Sequence, residues 1–420
     1  MSNVSADLMP GQASRTRGSR RREQREQVEI SRRRDNLPAA GAPAVGPLGN
    51  ITEKCTGPAS RRRKRYDQRE ALWQFSTLAR VNRCGRVRAS NATSPEVRVA
   101  DGHAHFSGLM LCGSVWSCPV CSAKIRHERA QELEHALGRW MELHPQGSVL
   151  LLTLTIPHDR GEALEPLMDT IKHAWRRVMS GGAWSRDKAS AGIQHYVRAW
   201  DATHGGNGWH PHLHAVLFLD REPSPDELER LESRLHERWA RACTEREHRE
   251  PSREHGTKLE LARSPADLAR YVAKVAGEDG RLSGTALEVA RGDLKQGKAG
   301  GRTPWEILES FTRTGDCDDL SLWREWEQST LGRQWMRWSA GLKDLFQLAD
   351  RNDQEITEEE QGGEVVYRFQ VEEWLAVCGE RGGQARILEL AESGGTAAVA
   401  SYVDTLLRGR HARQPRRWEA

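Results

Sequence analysis

The sequence predicts an α+β fold. Three observations carry this. The run Val149 to Ile156 is Leu-rich and β-branched and ends at Pro157, as a doubly buried strand does. Two strand-like segments, Ile193 to Thr203 and His210 to Asp220, are joined by the short loop His204-Gly205-Gly206-Asn207-Gly208-Trp209. Helical stripes at 3.6-residue spacing stand between them. Strands interleaved with helices, plus one tight hairpin, describe a layered α+β sandwich.

Along the chain, residues 1 to 65 lack periodic apolar positions and carry Arg20-Arg21-Arg22, Arg32-Arg33-Arg34 and the basic run Arg61 to Arg65. They hold 15 Lys and Arg against 6 Asp and Glu, net +9, whereas the other 355 residues are net −5 within the overall +4. A disordered basic arm is expected, suited either to holding phosphate backbones or to being a solvated tail. Order is expected to begin near Tyr66. A first helix is predicted over Ser122 to His144, with Ile125, Ala130, Leu133, Leu137, Trp140 and Met141 on one stripe. Strand Ser148 to Ile156 follows, then a helix around Glu162 to Met179 and the two strands of the hairpin. Helix Ser224 to Glu245 carries Leu228, Leu231, Leu235 and Trp239, and a short strand near Lys258 to Ala262 leads into helix Pro265 to Ala276, with Ser264 as N-cap. Arg291 to Arg302 reads as a flexible segment. Trp305 to Trp338 reads as helical, with Trp323/Trp326 and Trp335/Trp338 as core aromatics. A last pair of short helices follows Glu358-Glu359-Glu360. The implied division is an arm (1–65), a metal-binding module with its helix (66–145), a catalytic domain (146–300) and a mainly helical C-terminal region (301–420).

Composition narrows the function. The longest mostly apolar run is far short of the roughly 20 residues a spanning helix needs, and the N-terminus has no apolar core of the signal-peptide kind. A cytoplasmic chain without membrane partners is expected. Of the eight Cys, four cluster as Cys84, Cys112, Cys118 and Cys121, the last two in a Cys-Pro-Val-Cys knuckle that runs into a helix. Four thiolates at this spacing suit a structural Zn site, against buried thiols or a redox pair, which would not need the other two. His103 and His105 lie between the Cys pairs as possible substitutes.

His210-Pro211-His212-Leu213-His214 is the most informative stretch. On a strand, His212 and His214 project from one face and Leu213 from the other. Pairing symmetric about the loop puts Asp201 opposite His212, completing a three-ligand site for a divalent ion, unless the histidines are merely satisfied surface groups. The residue types alone leave Mg, Mn and Zn open. On the helix after Pro265, Asp267, Tyr271 and Lys274 share one face. That makes a phenol nucleophile with a cation and a carboxylate beside it, or an ordinary exposed trio.

With the Cys84-Gly85, Cys112 and Cys118-Pro119-Val120-Cys121 region, Leu152-Thr153-Leu154-Thr155, His210 to His214, and Ala269-Arg270-Tyr271-Val272-Ala273-Lys274 in this order, the chain resembles the rolling-circle plasmid replication initiators of the HUH endonuclease superfamily, over roughly residues 75 to 280. The resemblance implies a central antiparallel sheet with flanking helices, the His strand in its middle. It implies Asp201, His212 and His214 as ligands of a divalent metal (Mg or Mn). Tyr271 would be the nucleophile with Lys274 as its partner; at termination Asp267 would activate a water, or the strand would be rejoined. The family usually has Glu at both acidic places; this chain has Asp at each, with a shorter reach. The implied partners are plasmid origin DNA with a single-stranded nick site, and a host helicase and polymerase. A transposase of the same superfamily, a histidine-triad nucleotide hydrolase and a non-catalytic zinc-ribbon regulator are the rival readings.

Overall fold

The computed structural model describes residues 58–262, 301–359 and 362–413. The helix expected over Pro265 to Ala276, with Asp267, Tyr271 and Lys274, and the segment Arg291 to Gly300 lie outside the described residues, as does most of the N-terminal arm.

Order begins earlier than Tyr66. Helix α1 spans Pro58–Phe75 and is followed by α2, Ala79–Arg83. The basic run Arg61 to Arg65 therefore lies on a helix rather than in an arm. Arg62 pairs with Glu392 (2.5 Å), Arg63 with Glu389 (3.9 Å) and Lys64 with Glu309. These carboxylates offset the charge of a run that the sequence left either to phosphate backbones or to a solvated tail.

Strands β1 (Glu96–Ala100) and β2 (His103–Ser107) form a hairpin whose turn residues Asp101 and Gly102 both have positive φ, 51° and 79°. This is the two-residue turn that Asp-Gly favours. Helix α3, Pro119–Leu143, starts with proline in its first turn and buries Ile125, Ala130, Leu133, Leu137 and Trp140 as expected. Next come β3 (Ser148–Thr155), α4 (Leu164–Val178), the unforeseen α5 (Gly181–Ala191), β4 (Ile193–Gly205), β5 (Gly208–Leu219), α6 (Pro225–Thr244) and β6 (Thr257–Ala262). Ser224 and Glu227 close a capping box on α6, an arrangement worth on the order of 1 kcal/mol.

After residue 300 the single long helix expected over Trp305 to Trp338 is two helices and a strand: α7 (Pro304–Thr314), α8 (Cys317–Thr330) and β7 (Met336–Trp338). Trp323 and Trp326 are buried core residues on α8, as expected, but Trp335 and Trp338 are not a helical pair. Short helices α9 (Leu342–Leu345) and α10 (Asp353–Glu358), strand β8 (Glu364–Arg368), α11 (Val371–Gly379) and α12 (Gly383–Arg413, interrupted at Gly395) complete the described residues.

The main sheet is antiparallel with order β6-β3-β5-β4-β7, so the His strand β5 sits in its middle. Helices α4 and α6 pack on each other. Trp175 of α4 meets Tyr196 edge-on at 5.4 Å, which places this layer on the Tyr196 face of the sheet. Trp140 of α3 meets Phe218 on the opposite face (5.5 Å) and donates to the Leu219 carbonyl (2.9 Å). Helix α3 therefore covers the Phe218 end of the histidine face. A second sheet, β2-β1-β8, packs Val97 and Phe369 with Trp374, Ile387 and Val403 of the last helices in a smaller core. Among the described residues no helix is long and apolar enough to cross a membrane.

Candidate metal centres

The β4–β5 hairpin positions the first centre. Its ladder runs to Gly205 and Gly208, leaving Gly206 and Asn207 at the tip, so the connection is shorter than the six residues expected. The register is still symmetric about the same point, and Asp201 pairs directly with His212, Ala199 with His214. Gly208 has φ +83°, and a Cβ there would lie 3.0 Å from the Asp159 carbonyl oxygen, so backbone geometry and close packing both call for glycine.

Asp201 Oδ2 lies 3.6 Å from His212 Nε2, while its Oδ1 accepts from the Ala202 amide (2.9 Å). One donor atom from each of Asp201, His212 and His214 lies within 4.8 Å of the others. Bonds of about 2.1 Å to an ion require neighbouring donors about 3.0–3.4 Å apart, and the 3.6 Å between Asp201 Oδ2 and His212 Nε2 is close to that spacing. The histidine orientations also fit. His212 Nδ1 donates to the His210 carbonyl (3.2 Å), which leaves Nε2 as the lone-pair nitrogen facing Asp201. His214 Nδ1 bonds Thr153 Oγ1 (3.1 Å), a contact from the neighbouring β3 strand. A hydrogen bond on the far nitrogen is how metal-binding imidazoles are held in one tautomer.

His158, two residues past Ile156, is a neighbour that the sequence did not single out. Its Nδ1 donates to the Asn207 carbonyl (2.9 Å), so its Nε2 accepts from His210 Nδ1 (2.8 Å). Burial, then the adjacent His212 and His158, push His210 down to about 4, which keeps the His210 imidazole neutral. The only sequence signal was a histidine directly after the strand-ending proline.

The second centre is the cysteine cluster. Cys84 follows α2, Cys112 lies in a loop, Cys118 caps α3 and Cys121 sits in its first turn; all four are buried. Sulfur separations are 3.7 Å for Cys84–Cys118, 3.5 Å for Cys84–Cys121 and 3.7 Å for Cys112–Cys121. Four bonds of about 2.3 Å in a tetrahedron put sulfurs about 3.8 Å apart, so the cluster fits Zn closely. His103 and His105 stand on β2 and are not among its four residues. Hydrogen bonds from the other three thiols hold Cys84 well below the usual thiol range. Arg69 of α1 is buried behind the cluster and bonds Gln384; a Cβ on Gly85 would strike its guanidinium.

Tryptophans link the two centres. Trp116, between Cys112 and Cys118, donates to the Arg333 carbonyl (2.7 Å), and Trp326 donates to the Trp116 carbonyl (2.9 Å). Trp326 stacks on Trp209 at 5.8 Å, and Trp209 donates to Glu325 (2.9 Å) one residue before His210. Hence α8 clamps the base of the histidine strand to the cysteine knuckle.

Comparison with known proteins agrees with this layout. Residues 103–241, which span both knuckle cysteines and the whole histidine hairpin, match a family model described as replication protein. The chain is 31% identical over 350 residues to Protein rep of Streptomyces lividans, across 67% of this chain and 75% of that protein. It is also 31% identical over 147 residues to a Streptomyces cyanogenus protein named Neomycin resistance protein, across 29% of this chain and 33% of the other. No solved structure matches it significantly. With three quarters of the Streptomyces lividans protein covered at this identity, the chain belongs to the Rep family of plasmid replication proteins.

Proposed function

We propose that this replication initiator nicks one strand of plasmid origin DNA with Tyr271 as nucleophile, beside a divalent ion held by Asp201, His212 and His214. The observation that carries the reading is the convergence of these three side chains on facing strands, donor atoms within 4.8 Å. A divalent ion there supplies Lewis-acid polarisation of the scissile phosphate.

The remaining chemistry belongs to the chain. The Tyr271 phenolate oxygen bonds phosphorus as the bond to the 3′ oxygen breaks. The departing oxygen takes a proton, leaving a 5′-phosphotyrosine and a 3′-OH from which a host polymerase can extend once a helicase opens the duplex. Lys274, three residues after Tyr271 in the sequence, favours the phenolate, and Asp267, four residues before it, can activate a water at termination. Elimination supports Tyr271. Tyr66 is packed under Arg69 (4.4 Å), where burial raises its pKa. Tyr196 points to the face of β4 opposite Asp201. Tyr367 donates to Glu373 (2.9 Å) and is pushed up to about 12, first by burial. Tyr402 belongs to α12, in the smaller core. Zn in the cysteine cluster would be structural and would hold the knuckle against the hairpin through Trp116 and Trp326.

The test is a nicking assay on supercoiled plasmid carrying the candidate origin, with and without divalent metal. Open circles formed only with metal support the reading. A non-catalytic DNA-binding regulator would give none in either condition.

A further inference from the structure

Arg198 is 9% exposed, and among the described residues its Nε and Nη1 are buried without a hydrogen-bond partner. It sits on β4 three residues before Asp201 and, by strand alternation, on the opposite face. Its direct partner across the ladder to β7 is a second arginine, Arg337, which is exposed. Like charges directly opposite each other on adjacent strands are destabilising, and a buried cation without a counter-charge more so. Asp169, on the helix that packs over the Tyr196 face, is engaged by Arg333 (2.8 Å). Burial, then Arg337, push Arg198 down to about 10.

We propose that Arg198 and Arg337 form a phosphodiester-binding subsite on the β4–β7 edge, which grips the backbone of bound DNA. Two guanidiniums on adjacent strands, one recessed and one exposed, present forked donors to phosphate oxygens. Among the described residues no carboxylate pairs with the recessed cation, whose guanidinium lies 5.8 Å from the Trp200 ring, so the arriving polyanion supplies its counter-charge. One strand thus carries a metal ligand on one face and a backbone contact on the other, which fixes where the DNA lies relative to the catalytic hairpin. This rests on the reading of the chain as a DNA-binding initiator.

The experiment uses the full chain with its Zn and without added Mg or Mn, so that no cleavage intervenes. Affinity for a mixed-sequence single-stranded oligodeoxynucleotide is measured across a salt series for wild type, Arg198→Met and Arg337→Gln, and each protein is melted alone, with oligonucleotide and with inorganic phosphate. Each variant is expected to bind several-fold more weakly at low salt, with the slope of log K on log salt shallower by about 0.7. Arg198→Met alone should melt at or above wild type, because it removes an unpaired buried charge. Oligonucleotide, not inorganic phosphate, should raise the wild-type melting temperature more than that of either variant.

Arg198→Met melting lower with undiminished DNA affinity would make Arg198 a structural residue and overturn the site. Protection by inorganic phosphate alone would make it a small-anion site instead. If Arg198→Met does not fold, unchanged affinity and salt slope in Arg337→Gln overturn the proposal. Wild type that binds no DNA sinks the initiator reading itself, an outcome distinct from wild-type binding that the variants leave unaltered.

Discussion

Asp201 faces His212 across the β4–β5 ladder, its Oδ2 3.6 Å from Nε2. The pairing joins a carboxylate and an imidazole on the central strands of the sheet, where neither backbone can move far. If the pair holds a divalent ion with His214, His212→Ala or His214→Ala should lower nicking by about a thousandfold, the equivalent of several kcal/mol of charge stabilisation. Binding of Mn, followed by calorimetry, should fall with it while the circular dichroism spectrum stays that of wild type. Nicking by either variant at wild-type rate in excess chelator would remove the assignment.

The cysteine cluster gives an independent expectation. Purified protein should carry one Zn, and Cys118→Ser should lose it and melt many degrees lower, because binding energy in such modules is folding energy. Elemental analysis together with a thermal melt checks this. A metal-free wild type whose Cys118→Ser variant melts normally would mean buried thiols.

Glu325 holds the Trp209 indole (2.9 Å) and the Leu164 amide (2.8 Å). Glu325→Ala leaves both donors without this acceptor and should destabilise the fold by about 2 kcal/mol, read as a lower urea midpoint. Because Trp209 precedes His210, Mn affinity should weaken as well. A variant with unchanged midpoint and affinity would show that the clamp does not position the hairpin.

Burial pushes Glu70 up to about 7 from the usual 4.5, while its Oε2 accepts from the Gly382 amide (2.8 Å). The folded chain then keeps a proton that the unfolded chain releases. The stabilisation from neutral Glu70 is complete below 4.5 and is lost as pH rises through about 7, a change of about 3 kcal/mol. Glu70→Gln should match wild type at about pH 4.5 and exceed it at about pH 8 in urea titrations. Parallel pH profiles for the two proteins would contradict this.

The hairpin and its register were legible because pairing symmetric about Gly206 and Asn207 does not depend on how far the ladder zips toward the tip. The four cysteines were legible by spacing alone. Strands β1 and β2 were missed although Asp101-Gly102, flanked by Val97, Val99, Ala104 and Phe106, carried a local hairpin signal. Strand β7 has only three residues, too few to show a period, and β8 finds its partner β1 far away in sequence. Arg198 gave no signal, because an unpaired buried charge is visible only once the neighbours are in place. The basic run at 61 to 65 was read as an arm because its acidic partners, Glu309, Glu389 and Glu392, lie in distant helices.

The most direct test of the account maps the covalent link. Wild-type protein is incubated with single-stranded origin DNA and divalent metal, the adduct is digested, and the DNA-bearing peptide is sequenced; Tyr271→Phe is treated alongside. The account predicts a label on Tyr271, and a Tyr271→Phe protein that folds and binds the DNA but forms no adduct. A label on Tyr66 or Tyr196, or metal-dependent cleavage with no adduct at all, would contradict it.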